Sequence, residues 1–70
     1  MTTELLTAIL HLEDDLYVAE CPEAGTVSQG YSIKEAIANL KEATELYLEE
    51  FPLIKVSRSL LTIFEVAIYA

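Results

Sequence analysis

The sequence predicts an α+β domain with the element order β-β-β-α-β. Apolar residues alternate with a period of two before Ser32 and follow a helical period after it. Turn-forming clusters divide the first part into short strands, and a stretch rich in β-branched and aromatic residues follows the helix. We therefore expect a four-stranded mixed sheet in the order 3-2-1-4, with one helix packed on one of its faces.

The first three strands are predicted from alternation and from the turns that end them. Residues 5–12 alternate, and the acidic triplet that follows them indicates a hairpin into a second strand beginning at Leu16. Pro22 ends that strand because proline has no N–H to donate to a ladder. Residues 22–25 then form a turn and residues 26–31 a shorter third strand. Short turns between all three strands predict an antiparallel meander.

Ser32 and Glu35 predict where the helix begins. The Ser32 hydroxyl can accept from the N–H of Glu35 while the Glu35 side chain reaches back, which forms a capping box. The helix is expected from Ile33 to about Glu50, and Pro52 stops it. Its core face follows the spacing of six residues, with two alanines beside them that allow close approach to a sheet: Ile33, Ile37, Leu40, Thr44, Tyr47 and Phe51, with Ala36 and Ala43.

Residues 61–69 predict the fourth strand, parallel to the first and beside it. This strand is apolar on both faces, and only one face can meet the helix. The chain is 53% hydrophobic, which is much for 70 residues in two thin layers. We therefore expect a homodimer or tetramer in which Ile63, Ala67 and Tyr69 contact a second copy.

The charge of the chain argues against nucleic-acid binding. Twelve acidic residues stand against four basic ones, for a net charge of −8, and no lysine or arginine precedes Lys34. Such a chain repels a phosphate backbone, because binding there needs clustered Lys and Arg. A basic protein partner fits better, and the plainer alternative is that the acidity only keeps the protein soluble.

Catalytic and metal-binding chemistry is not predicted, so we expect a protein that is not an enzyme and has no cofactor. His11 is the only histidine, and on an alternating strand it is expected to be a rim residue, since catalysis would need a partner poised beside it. Cys21 is the only cysteine, and it has no basic residue nearby in sequence that would activate it. A two-metal nuclease needs carboxylates on adjacent strands, and the middle of the first strand has none. The absence of a signal sequence and of an apolar run of about 18 residues predicts a cytoplasmic protein.

The order of residues from Tyr17 to Leu48 resembles the small HicB-type antitoxins. The similarity is carried by Tyr-Val-Ala-x-Cys-Pro-Glu at 17–23, by Ser-Gln-Gly at 28–30 and by spaced helix residues, namely Glu35, Ala36, Asn39, Leu40, Glu42, Ala43, Tyr47 and Leu48. The series covers about half of the chain directly. The resemblance implies a single HicB-like domain over residues 1–70 with a partial ribonuclease H-like fold, which agrees with the predicted strand order.

The resemblance also implies a function. HicB-like antitoxins bind and sterically block a HicA-like toxin, a basic protein that cleaves RNA. The residues expected to meet such a partner are the acidic ones of the first hairpin and around Pro22, namely Glu13, Asp14, Asp15, Glu20 and Glu23. Many family members carry a separate DNA-binding segment, but only about twenty residues follow the helix here, so none is expected. The alternative is a stand-alone oligomeric scaffold or adaptor without a toxin partner.

Overall fold

The computed structural model describes residues 4–52 and 62–68 of the chain, and this part has an α+β fold. Its elements are three strands and a helix, in the order β1 (Ile9–Glu13), β2 (Leu16–Cys21), β3 (Thr26–Gly30) and α1 (Ile33–Glu50). The strands form one antiparallel sheet in the order β1-β2-β3. Helix α1 packs on one face of this sheet, against β3 and β2. The predicted meander and the helix are therefore confirmed.

The two hairpins are closed by different turns. Between β1 and β2, Glu13 lies opposite Leu16, so Asp14 and Asp15 form a two-residue loop. Asp14 has a φ of 53°, which is the positive value that two-residue hairpin turns require at their first position. Between β2 and β3, Gly25 has a φ of 75° and its N–H donates to the carbonyl of Cys21 at 2.7 Å.

Strand β1 begins at Ile9, four residues later than the sequence predicts. Continuing the register in which Ile9 lies opposite Glu20 would place Thr7 opposite Pro22, which cannot donate to a ladder. The backbone N–H of Thr7 instead donates to Oε1 of Glu23 at 3.0 Å, and its hydroxyl donates to Oε2 at 2.7 Å. A side chain thus replaces the regular ladder at this end of the sheet.

The helix begins at the predicted cap. The Ser32 hydroxyl accepts from the N–H of Glu35 at 3.0 Å. The Glu35 carboxylate accepts from the N–H of Tyr31 at 2.9 Å, one residue before the position that a capping box predicts. The Tyr31 side chain is 76% exposed.

The core between sheet and helix consists of small side chains. The buried apolar residues are Ala19, Cys21, Ala36 and Leu40, and Thr44 is buried beside them. Two side-chain hydrogen bonds hold the helix to β3. One joins the hydroxyls of Thr44 and Thr26 at 2.6 Å, and in the other Asn39 Nδ2 donates to the Gln29 carbonyl at 2.8 Å. The prediction that the whole apolar stripe is buried is wrong for four residues that remain exposed, namely Ile33, Ile37, Tyr47 and Phe51.

The predicted fourth strand is not seen in residues 62–68. This segment pairs with none of the three strands, so it lacks the hydrogen bonds that would define a strand. Its side chains are exposed, Ile63 to 94% and Phe64 to 83%. The sheet order agrees with the first three positions of the predicted 3-2-1-4 order, and the fourth position, beside β1, is not filled by the described residues. Tyr69 lies outside those residues.

Candidate partner-binding surface

The sheet has one face covered by α1 and one open face. Residues that lie opposite each other in an antiparallel pair point to the same side. Leu10, Ala19 and Ser28 form one such row, and the burial of Ala19 identifies their side as the helix-facing one. The open face therefore carries the alternate residues of the three strands, namely Ile9, His11, Glu13, Leu16, Val18, Glu20, Val27 and Gln29.

The open face combines carboxylates with apolar side chains. Glu20 lies in the middle strand between Ile9 and Val27, and Val27 is 58% exposed. Glu13 lies at the hairpin end, and its Oε2 is 3.4 Å from Nε2 of His11. Neither lysine nor arginine occurs in the three strands. The surface is thus acidic, with exposed apolar area beside the charges.

The hairpin loop extends this acidic surface at one end. Asp14 and Asp15 are both exposed, and they follow Glu13 directly. Four of the five acids predicted from sequence, Glu13, Asp14, Asp15 and Glu20, are therefore exposed on the open face or at its hairpin end.

Glu23 has a different place in the structure. Its half-buried carboxylate accepts the two hydrogen bonds from Thr7 and a weaker one from the Cys21 thiol at 3.5 Å. It lies beyond the β2 end that is opposite the hairpin. The structure therefore gives Glu23 a role in holding the chain before β1, and it does not bring this residue together with the hairpin acids.

The remaining reactive side chains are separated by the sheet. His11 lies on the open face, whereas Cys21 is buried on the helix-facing side. Within residues 4–52 and 62–68, no three His, Cys, Asp or Glu side chains are grouped to hold a metal ion.

An apolar groove beside the helix was not predicted from the sequence. It has a volume of about 570 Å³ and runs between α1 and the chain that precedes β1. Apolar side chains dominate its lining, with Glu4, Lys41 and Glu45 among the polar ones; the apolar residues are Leu5, Leu6, Ala8, Cys21, Ile37, Leu40 and Leu48. Ile37 lines this groove and is 42% exposed. Its place on the predicted core face was the only sequence feature that pointed to an apolar surface here.

The predicted contact residues of the fourth strand are accessible where they are described. Ile63 and Ala67 are both exposed in the segment 62–68. None of the residues of this segment lines the groove.

Sequence comparison finds a bacterial relative. The chain is 47% identical over 45 residues to a Helicobacter pylori (strain J99) protein named "UPF0150 protein", a match that covers 63% of this chain and 62% of that protein. The chain thus spans about three fifths of its relative's length. No family model matches the chain, and no solved structure matches it. Of the helices in the described residues, none is long and apolar enough to cross a membrane.

Proposed function

We propose that this protein is a HicB-like antitoxin that binds a basic, RNA-cleaving HicA-like toxin and blocks it sterically. The protein itself is not an enzyme in this proposal and acts in the cytoplasm. The observation that supports it best is the open sheet face, where exposed carboxylates and apolar side chains lie together without a lysine or arginine. The resemblance of residues 17–48 to the HicB family is the reason for proposing a basic, RNA-cleaving protein as the partner.

The acidic face suits a toxin whose own function is to bind RNA. A surface that holds RNA phosphates is positively charged, and the carboxylates of Glu13, Glu20 and the hairpin loop offer negative charge in their place. The apolar side chains on either side of Glu20, Ile9 and Val27, provide area that would be removed from water on binding. A toxin seated on this face would have its RNA-binding surface covered.

The proposal includes the remaining part of the partial ribonuclease H-like fold. In the bound protein, the segment 61–69 forms the fourth strand beside β1 and completes the order 3-2-1-4, whether it comes from the same chain or from a second copy. The unfilled edge of β1 and the exposed apolar side chains of 62–68 support this step.

The experiment measures binding of a purified basic protein encoded next to this chain in its genome. Association with wild type is compared with that of the open-face variant Glu13→Lys/Glu20→Lys by stopped-flow or surface plasmon resonance at several salt concentrations. Charge complementarity acts mainly on the association rate, so we expect the variant to associate at least about 10-fold more slowly at low salt and to lose most of the salt dependence.

The matched control is Glu42→Lys/Glu49→Lys, which makes the same charge change on exposed helix positions. It should change the rate less than about 2-fold if the open face is the contact surface. A third variant, Asp14→Asn/Asp15→Lys, tests the hairpin, and asparagine is chosen because it tolerates the positive φ of Asp14.

Two results would contradict the proposal. Equal slowing by the open-face and helix variants would show that only net charge matters. Failure of wild type to bind any neighbouring basic protein, or to protect growing cells from it, would favour the alternative of a stand-alone oligomeric scaffold.

A further inference from the structure

We infer that two copies of this protein exchange their C-terminal segments, so that residues 62–68 of each copy lie in the helix-side groove and along the β1 edge of the other. This inference does not depend on the proposed toxin. It starts from three features that are unpartnered in the described chain: the segment, the groove and the edge.

The segment 62–68 exposes large apolar side chains that would be more stable if another surface covered them. Four of its side chains are among the most exposed large apolar groups of the described chain, with Ile63 at 94%, Phe64 at 83%, Val66 at 72% and Ile68 at 89% exposed. Phe64, Val66 and Ile68 alternate, so they would share one face of an extended strand. Such a continuous apolar strand face is costly to leave in water.

The groove offers a matching surface. Its apolar lining comes from the helix through Ile37, Leu40 and Leu48 and from the chain before β1 through Leu6 and Ala8. The lining residues before β1 lead directly into that strand, and the main contacts of the helix are with β3 and β2 rather than with β1. A strand placed there covers the groove with one face and pairs its backbone with β1 at the same time.

A second copy is the occupant that fits the shape of the chain. The Cα radius of gyration is 14.4 Å, whereas a compact 70-residue domain has about 11 Å. The longest dimension is 52 Å against 28 and 16 Å for the others. The protein is thus extended, and residues 62–68 lie away from their own groove. Exchange between two copies fills both grooves by one two-fold operation and leaves no segment uncovered.

The test uses a groove variant and a segment variant of the full chain. Ile37→Glu places a charge in the groove at a partly exposed helix position, so the fold is retained. Phe64→Glu places a charge on the segment, which forms no element of the described domain. Leu46→Glu is the matched control, because Leu46 is 59% exposed on α1 and does not line the groove.

Light scattering gives the oligomeric state of each protein. We expect wild type and Leu46→Glu to have twice the chain mass of 7.8 kDa. The groove variant and the segment variant should each be monomeric, with a dimer dissociation constant raised at least about 100-fold. The reason is that an unpaired charge would be buried at both contacts between a segment and a groove.

Mixing the two variants distinguishes exchange from other dimers. In an exchanged dimer of one Ile37→Glu chain and one Phe64→Glu chain, one of the two contacts is unmutated. It is formed by the wild-type segment of Ile37→Glu and the wild-type groove of Phe64→Glu. Native mass spectrometry with one variant isotopically labelled should then show the mixed dimer. A monomeric wild type, a dimer unaffected by either variant, or a mixture without mixed dimers would each overturn the inference.

Discussion

At Gly30 the backbone of the sheet lies close to the backbone of the first helical turn. Gly30 is buried at the end of β3, and a Cβ atom at this position would lie 2.6 Å from the backbone nitrogen of Ala36. Backbone atoms of a capped helix cannot move aside easily. The absence of a side chain at Gly30 therefore allows the first turn of α1 to rest on the sheet.

We predict that Gly30→Ala lowers the free energy of unfolding by about 3 kcal/mol, at the upper end of the usual cost of overpacking. Gly25→Ala is the control, since a Cβ there meets no atom within 4 Å and the cost comes only from the φ of 75°. That cost is about 1 kcal/mol. Urea unfolding followed by circular dichroism measures both, and an equal or smaller loss for Gly30→Ala would refute the steric argument.

At the scale of elements, the helix is positioned by a pair of hydroxyl groups. Thr26 at the start of β3 and Thr44 in the fourth turn of α1 share a 2.6 Å hydrogen bond, and Thr44 is only 7% exposed. Each hydroxyl satisfies the other where water has little access. Their pairing fixes how far the helix slides along the sheet.

We predict that this pair is strongly non-additive. Thr26→Val or Thr44→Val alone should cost about 1–2 kcal/mol, because the remaining hydroxyl loses its partner. The double variant should cost less than the sum by at least about 0.5 kcal/mol, since no hydroxyl is then left unpaired. A double-mutant cycle from thermal or urea unfolding tests this, and additive losses would contradict it.

The sequence was sufficient for those elements that local chemistry determines. Pro22, Gly25 and the Ser32 cap are local signals, and the structure has its turns and its helix start at these residues. The start of β1 was misjudged because alternation continues through Leu6 and does not reveal that Glu23 takes the place of the ladder.

Longer-range features were harder to predict. Ile37 was predicted to be buried and the last segment to pair with β1, and neither is seen. Both depend on which surfaces meet, which hydrophobic periodicity does not specify. For the candidate site, four of the acids named from the sequence are exposed, but only the strand register shows that Glu20 shares a face with Glu13. Only the hydrogen bonds from Thr7 show that Glu23 is engaged elsewhere.

At the scale of the whole molecule, charge determines what the protein repels. The chain has a net charge of −8, and its two described lysines, Lys34 and Lys41, lie on α1 away from the open face. We predict no shift of duplex DNA or RNA in a gel assay at about 50 mM salt, where electrostatic binding is strong. A basic RNA-binding protein serves as the positive control, and salt-sensitive binding by this chain would restore a nucleic-acid role.

The length of β2 sets the spacing between the acidic side chains at its two ends. Asp15 in the hairpin and Glu20 in the strand are five positions apart, a distance of about 16 Å at about 3.3 Å per residue. A short basic peptide of two or three residues reaches one of these charges and leaves the other in solvent. Only a folded partner, or an extended one of at least about five residues, could span both, so on the proposed function the sheet would select a partner by size as well as by charge.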